Sequence, residues 1–588
     1  MTLTQNLWTA LIMAALPLSL GAASAAGPDD AKLQAYFRQY LDASFRLHPL
    51  DATRLGDHRF DPLLDDLSAK ARAAWVGHLR KTLDDLPRQI DAARLSPAGR
   101  IDFEIFRHEL VKSLWIVENV DPLERDPRVY GEYISDSVFL LLTQSTLPKE
   151  TNLANAIARM AHIPQVVADA KANLHNPSRV ATETAVRQNR GAIAFYEHDL
   201  FELAGDTPQL AALRAAAAPV AACLKQYQEF LQRDLLPRAN GPWRLGKEKF
   251  ARKLDLELDA GLTAEQVLAD AESEFTRLQR DMYVIARQLW GHYFPLRALP
   301  PDDAEGRRLT VTEVLHAVGR EHGKPEDLTA DARATVARIK QFIEARKILP
   351  LPKPDRCQVI EMPEFRRGNS TAYLDPAPPL DLTAASFYAV SPPPKDWDAA
   401  RVESLLEEYN RHLLPVLTIH EAYPGHYVQL TYANENPSLI RRVLGSGVYI
   451  EGWAVYCEQM MLDQGYGDGD LRLRLSQLKF YLRAVTNAIL DHKLHCTQMT
   501  DDEALTLLVG QAFQSEGEAR LKIIRAKQTS CQLSTYFVGR TAMFSVRRQI
   551  QHELGDRFDL SGYHQAVLEQ GSVPVKYLPE LLRATLKP

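Results

Sequence analysis

Apolar residues recur at intervals of three and four along nearly the whole chain, and a single stretch breaks the rhythm. From Asp30 to about Arg346 the period is helical, as at Leu33, Tyr36, Phe37, Tyr40, Leu41 and Phe45, and it repeats over 100–118, 151–175, 208–234 and 263–290. It resumes after about Asp398 over 402–412, 415–433, 447–464, 471–496, 501–514 and 516–553. Between about Ile348 and Trp397 Pro is dense, and two short runs, 357–360 and 386–390, read as β-strands. The pattern predicts a mainly α fold, a large bundle of long helices with one small β-sheet. No fixed repeat divides the chain, so residues 26–588 are expected to form one domain. Within it the pattern marks a helical half over 26–347, a Pro-rich segment with short strands over 348–397, and a second helical half over 398–588.

The 588 residues are 46% apolar and 24% charged, an ordinary globular composition with ample length for a large core. Sixty-nine Lys and Arg against 75 Asp and Glu leave a net charge of −6, which offers no electrostatic footprint for nucleic acid or an anionic membrane. Residues 1–26 contain no charged side chain, and an apolar stretch from Leu7 to Leu20 leads into Gly21, Ala22, Ala23, Ser24 and Ala25. Ala23 and Ala25 suit signal-peptidase cleavage, so residues 1–25 are expected to be a signal peptide and the mature protein exported, to a periplasm or beyond. An uncleaved anchor is the weaker alternative, because the segment is short for a span; no other apolar run approaches the roughly 18 residues required. Five scattered cysteines, at 223, 357, 457, 496 and 531, show no bridge or metal spacing and are read as structural.

The chemistry concentrates in Thr418-Ile419-His420-Glu421-Ala422-Tyr423-Pro424-Gly425-His426. Two histidines with a glutamate directly after the first are the ingredients of a zinc hydrolase helix, in which imidazoles hold the ion and the carboxylate handles the proton of its water. The usual spacing is i and i+4. Here the histidines are six apart, about 240° of rotation and about 9 Å of rise on a regular helix. Pro424 lacks the N–H that would bond the His420 carbonyl, and Gly425 frees the backbone, so a bulge or looped-out turn is expected between the imidazoles. A third ligand should come from another helix, and Glu451 and Glu458 lie seven apart on one helical face. One can ligate while the other orients the site from behind; Glu451 is the expected ligand.

His420-Glu421-Ala422-Tyr423-Pro424-Gly425-His426, Glu451-Gly452-Trp453-Ala454 and Gln532-Leu533-Ser534-Thr535-Tyr536 together resemble the bacterial DUF885 proteins, placed among gluzincin-type zinc metallopeptidases. The Gly425-His426 pair also matches the end of the motif in relatives with the ordinary spacing. The resemblance implies one zinc ion on His420, His426 and Glu451, Glu421 as general base, and a helical bundle around a deep channel with the small sheet beside the metal helix. The run at 386–390 would offer an edge strand to an extended peptide, with Tyr388 near the substrate. Many gluzincins hold a ligating histidine with an acidic residue four after the glutamate ligand; that position is Val455 here, so Glu458 or a water would have to serve. Arg483, Asp491 and His495, on one predicted helix, resemble a family pattern. It would suit binding of a peptide carboxylate or an oxyanion, or else a structural hydrogen-bond network. Gln532 and Tyr536 are i and i+4, and in related peptidases a tyrosine from this region donates to the oxyanion.

The expected function is therefore an exported zinc-dependent peptidase of short peptides, carboxypeptidase- or dipeptidase-like. Two other readings compete: hydrolysis of another amide, such as a cell-wall peptide, and metal or peptide binding without turnover. Two histidines and a carboxylate with an open position for water suit zinc best among divalent ions.

Overall fold

Helices form where the apolar period is cleanest. In this computed structural model, which describes residues 27–362, 372–394 and 397–586, α1 spans Asp30–Leu47, α2 Pro97–Asn119 and α3 Ala264–Tyr293. Local signals set their starts. Ser96 accepts from the Gly99 N–H ahead of α2, where Pro97 occupies the first turn, and Thr263 and Gln266 cap α3 reciprocally. The expected signal segment lies outside the described residues.

The Pro-dense interruption carries three strands, β1 (Cys357–Glu361), β2 (Ala372–Asp375) and β3 (Ser386–Val390), in the order β1-β3-β2. β3 runs parallel to β1, with Cys357 opposite Ser386, and antiparallel to β2, with Leu374 opposite Tyr388. The expectation of an edge strand at 386–390 is thus corrected: that run is central, paired on both sides, and among the described residues the edges are β1 and β2. Four residues ending at Pro376 are too few to show a strand pattern.

Beyond the sheet come α4 (Leu413–Glu421), α5 (His426–Asn434), α6 (Gly447–Asp463), α7 (Leu471–Cys496), α8 (Glu516–Gln528) and α9 (Thr535–Leu554). Two predicted helices are each split: 415–433 into α4 and α5, and 516–553 into α8 and α9 with a short turn at Gln532–Ser534 between them. Both breaks fall at site residues.

The main core joins α1, α2 and α3 to α4–α7 and α9 through residues such as Phe37, Phe106, Leu278, Tyr427, Trp453 and Leu482. A second core is built within 50–235 from residues such as Ile134, Phe139, Leu153 and Leu224. The first half of the chain is therefore two units in packing terms, with its opening helices belonging to the core around the site. A buried ion pair ties them in: Arg441 Nε donates to Asp102 of α2 at 2.6 Å. All five cysteines are unbridged. Among the described residues no helix is long and apolar enough to cross a membrane.

Candidate metal centre

α4 is apolar on every side, with Leu413 through His420 all buried, so the surrounding core holds it rather than one amphipathic face. It ends at Glu421. Pro424 cannot continue the backbone ladder, and Gly425 sits where a Cβ would come within 1.9 Å of the His420 carbonyl oxygen. Four residues, 422–425, cross to His426, which opens α5. Trp453 of α6 pins this turn by donating from Nε1 to the Pro424 carbonyl at 2.8 Å. The Tyr423 and Tyr427 hydroxyls anchor its flanks on Asp355 at 2.7 and 2.9 Å. The six-residue spacing is thus accommodated by a full break between two helices, and the imidazoles meet edge to face with ring centres 4.7 Å apart.

Glu451 of α6 closes the group. Its Oε2 lies 3.7 Å from His420 Nε2 and 3.5 Å from His426 Nε2, and one ligand atom from each residue falls within 4.8 Å of the others. On the same face of α6, buried Glu458 accepts from His420 Nδ1 at 2.7 Å, which fixes the tautomer and leaves Nε2 for the centre. Glu421 Oε2 accepts from the Leu374 N–H of β2 at 3.0 Å, which fixes the carboxylate. Burial opposes charge on Glu451, but the two imidazoles outweigh it and hold the carboxyl well below its usual range. Burial likewise pushes the His420 imidazole down, and Glu451 and Glu458 outweigh it and raise it well above its ordinary value. His426 Nδ1 and Glu451 Oε2 are buried without a hydrogen-bond partner. Two imidazoles and a carboxylate whose Oε2 is orphaned fit a divalent cation of the zinc type.

Tyr536 is brought towards this centre, within the electrostatic reach of Glu451, by a close helix crossing. A Cβ on Gly452 of α6 would stand 2.4 Å from the Gly539 carbonyl carbon of α9, and one on Gly539 would stand 2.1 Å from the Val448 oxygen. That contact sets Tyr536, one turn before Gly539, near Glu451, the neighbour of Gly452. Burial, and next the Glu451 charge, push the Tyr536 hydroxyl up to about 12. Gln532 Nε2 donates to that hydroxyl at 3.2 Å, and Arg525 Nη2 donates to Gln532 Oε1 at 3.0 Å. Sequence reasoning missed Arg525, since nothing in the pattern of α8 separates it from Arg520, Lys522 or Lys527.

Other expected site residues are placed differently. His495 is corrected from a donor to a peptide carboxylate or catalytic oxyanion to a structural position: Nε2 donates to the carbonyls of Ala526 and Thr529, both at 2.9 Å, and Nδ1 accepts from Leu245 N–H. Asp491, fully buried, accepts from Cys531 N–H at 3.1 Å and Ser534 Oγ at 3.0 Å, so it holds the turn that leads into Tyr536. Burial pushes its carboxyl up to about 7. Tyr388 is corrected from substrate contact to core: it is 0% exposed in the central strand, with its hydroxyl 3.1 Å from Thr418 Oγ1. Arg483 lies one ring removed from the centre, its guanidinium 5.8 Å from the Phe480 ring, which meets the His420 ring edge to face with centres 5.8 Å apart.

Residues 49–582 match the family model described as "Bacterial protein of unknown function (DUF885)". A solved structure from Shewanella oneidensis, described as a "putative lipoprotein of unknown function", is 28% identical with a TM-score of 0.79, covering 94% of this chain and 99% of its own. A second, from Colwellia psychrerythraea and described as a "putative lipoprotein", is 17% identical with a TM-score of 0.76, covering 94% and 98%. No curated protein matches the chain. The matched span takes in His420, Glu421, His426, Glu451, Glu458 and Tyr536, and the chain belongs to the DUF885 family of bacterial proteins.

Proposed function

We propose that this protein is an exported metallohydrolase of the gluzincin type, a peptidase of short peptides, with one zinc ion on His420, His426 and Glu451 and with Glu421 as general base. One observation carries the reading: three ligand atoms converge within 4.8 Å beside a carboxylate that directly follows the first ligand. When bound, zinc lowers the pKa of water from about 15.7 towards about 7 and polarises a carbonyl. Glu421, steadied by Leu374 N–H, accepts the proton of the attacking water and returns it to the leaving amine. Tyr536, kept protonated, donates to the oxygen on which negative charge develops. Glu458 keeps His420 oriented, and β2 offers an extended peptide an edge beside Glu421. The buried histidines favour a narrow approach between helices, which admits short chains and excludes folded ones. Export is supported by the uncharged apolar N-terminus and by the lipoprotein description of the Shewanella structure.

The test is metal analysis and peptide-library hydrolysis on native protein and on Glu421→Gln. About one zinc per chain is expected in both, with hydrolysis in the variant lower by roughly 10²–10⁴-fold. Undiminished hydrolysis would remove Glu421 from the mechanism. Metal binding with no peptide cleaved would leave a binding protein.

A further inference from the structure

A line of four side chains leads from the metal centre to solvent and ends on a cation. Glu451 and Tyr536 stand at the inner end, Gln532 Nε2 donates to the Tyr536 hydroxyl at 3.2 Å, and Arg525 Nη2 donates to Gln532 Oε1 at 3.0 Å. Glu451, Tyr536 and Gln532 are half-buried and Arg525 is exposed. The guanidinium can only donate, so the Gln532 oxygen faces it and the Gln532 NH₂ faces the Tyr536 oxygen. The proton of Tyr536 is thereby left for another acceptor.

Arg525 differs from the other cations of α8. Arg520 pairs with Glu516 and Lys527 with Asp501, both at 2.6 Å, and Lys522 is buried. Arg525 gives its hydrogen bond to a neutral amide, and among the described residues it pairs with no carboxylate. Its surroundings also suit a ligand. The unit around the second core meets the main one at two places: Gln144 donates to Asp375 of β2, beside the Leu374 that steadies Glu421, and Arg128 Nη2 donates to the Gln528 carbonyl of α8, three residues past Arg525, at 2.7 Å. Glu421 and Arg525 thus both lie along the junction of two packed units, a common setting for ligand sites.

We propose that Arg525 is a specificity-determining residue that receives a carboxylate of the substrate, so that the substrate class is short peptides with a free carboxylate near the cleaved bond. The nearness to that bond rests on the metallohydrolase reading, in which Tyr536 marks the carbonyl under attack; the carboxylate binding does not. Two hydrogen bonds and the Gln532 amide between them put the Arg525 guanidinium no more than about 9 Å from the Tyr536 hydroxyl. An extended peptide covers that distance in at most about two to three residues, at roughly 3.3–3.6 Å each. The carboxylate is either the peptide's own C-terminus or an acidic side chain within that reach. The planar fork takes it in two parallel N–H···O bonds, through the donors that Gln532 leaves unused.

Zinc-loaded Glu421→Gln allows binding to be measured without turnover. Trialanine free acid, trialanine amide and Ala-Ala-Glu amide are titrated by calorimetry. The free acid, the Glu-bearing amide or both should bind at least about tenfold more tightly than trialanine amide, and whichever does names the carboxylate's source. With Arg525→Gln added, the preference should fall to about twofold or less. Because Arg525 is exposed, this change should leave the melting temperature where it was. Equal binding of all three peptides, binding of none, or a preference that survives Arg525→Gln overturns the anchor. A residue that acted only by positioning Gln532 and Tyr536 would give a different result: Arg525→Gln in otherwise native protein would lower kcat for acidic and neutral peptides alike and leave the binding preference intact, which also overturns the anchor. An Arg525-dependent preference without hydrolysis by the native protein keeps the anchor and overturns the peptidase reading. Cleavage of acidic and neutral peptides with equal kcat/KM keeps the peptidase and overturns the anchor.

Discussion

In the proposed mechanism Tyr536 donates to a developing oxyanion and must hold its proton throughout the working pH range, which its burial and the Glu451 charge favour. Tyr536→Phe keeps the ring and removes the donor. Its kcat is expected to fall by about 10²–10³-fold with KM and melting temperature nearly unchanged, as steady-state kinetics on a cleaved peptide would show. Asp491 acts one step further out, by holding the turn that delivers Tyr536. Its carboxyl is raised from 3.8 to about 7, so its contribution to stability is fully present below about pH 4 and lost as pH rises through about 7. Asp491→Asn removes that dependence. Urea unfolding at pH 4 and pH 8 should show native protein losing up to about 4 kcal/mol relative to the variant across the interval.

At the scale of elements, the site depends on two places where backbones nearly touch: Gly425 against the end of α4, and Gly452 against Gly539. Gly452→Ala must push α6 and α9 apart, at a cost of about 1–3 kcal/mol. Because Glu451 and Tyr536 flank that contact, activity should fall by more than the lost stability explains, which thermal melts and kinetics together would reveal. Long elements were legible from periodicity: 471–496 is α7, and Pro424 and Gly425 marked the turn between the imidazoles. Elements whose limits depend on partners were not. β2 is a strand only because β3 pairs with it, and the break between α8 and α9 is held by Asp491 and His495 from a different helix. The triad was readable because its members carry a motif. Arg525 became visible only when folding brought its guanidinium against Gln532 in the turn into α9, and Tyr388 and His495 misled because sequence pattern does not distinguish a buried polar ring from an accessible one.

For the molecule as a whole, the segment between α5 and α6 is braced by the opening helices of the chain. Asp102 of α2 receives Arg441 Nε, Ser438 Oγ and Gln34 Nε2, at 2.6, 2.6 and 3.2 Å, all within the main core's periphery. Arg441→Leu would leave that carboxylate buried without its cation, and chemical denaturation should register a loss of about 3–5 kcal/mol. A second substitution, Asp102→Asn, should recover part of it, because the unpaired charge is the main cost. All of this scaffolding serves one claim, that a single metal ion is held by His420, His426 and Glu451. Anomalous diffraction from zinc-soaked crystals of the native protein, recorded on both sides of the zinc edge, tests it most directly. The account predicts one strong peak bonded to the two Nε2 atoms and the Glu451 carboxylate; a triad without density in zinc-saturated crystals, or a peak bonded to other residues, would contradict it.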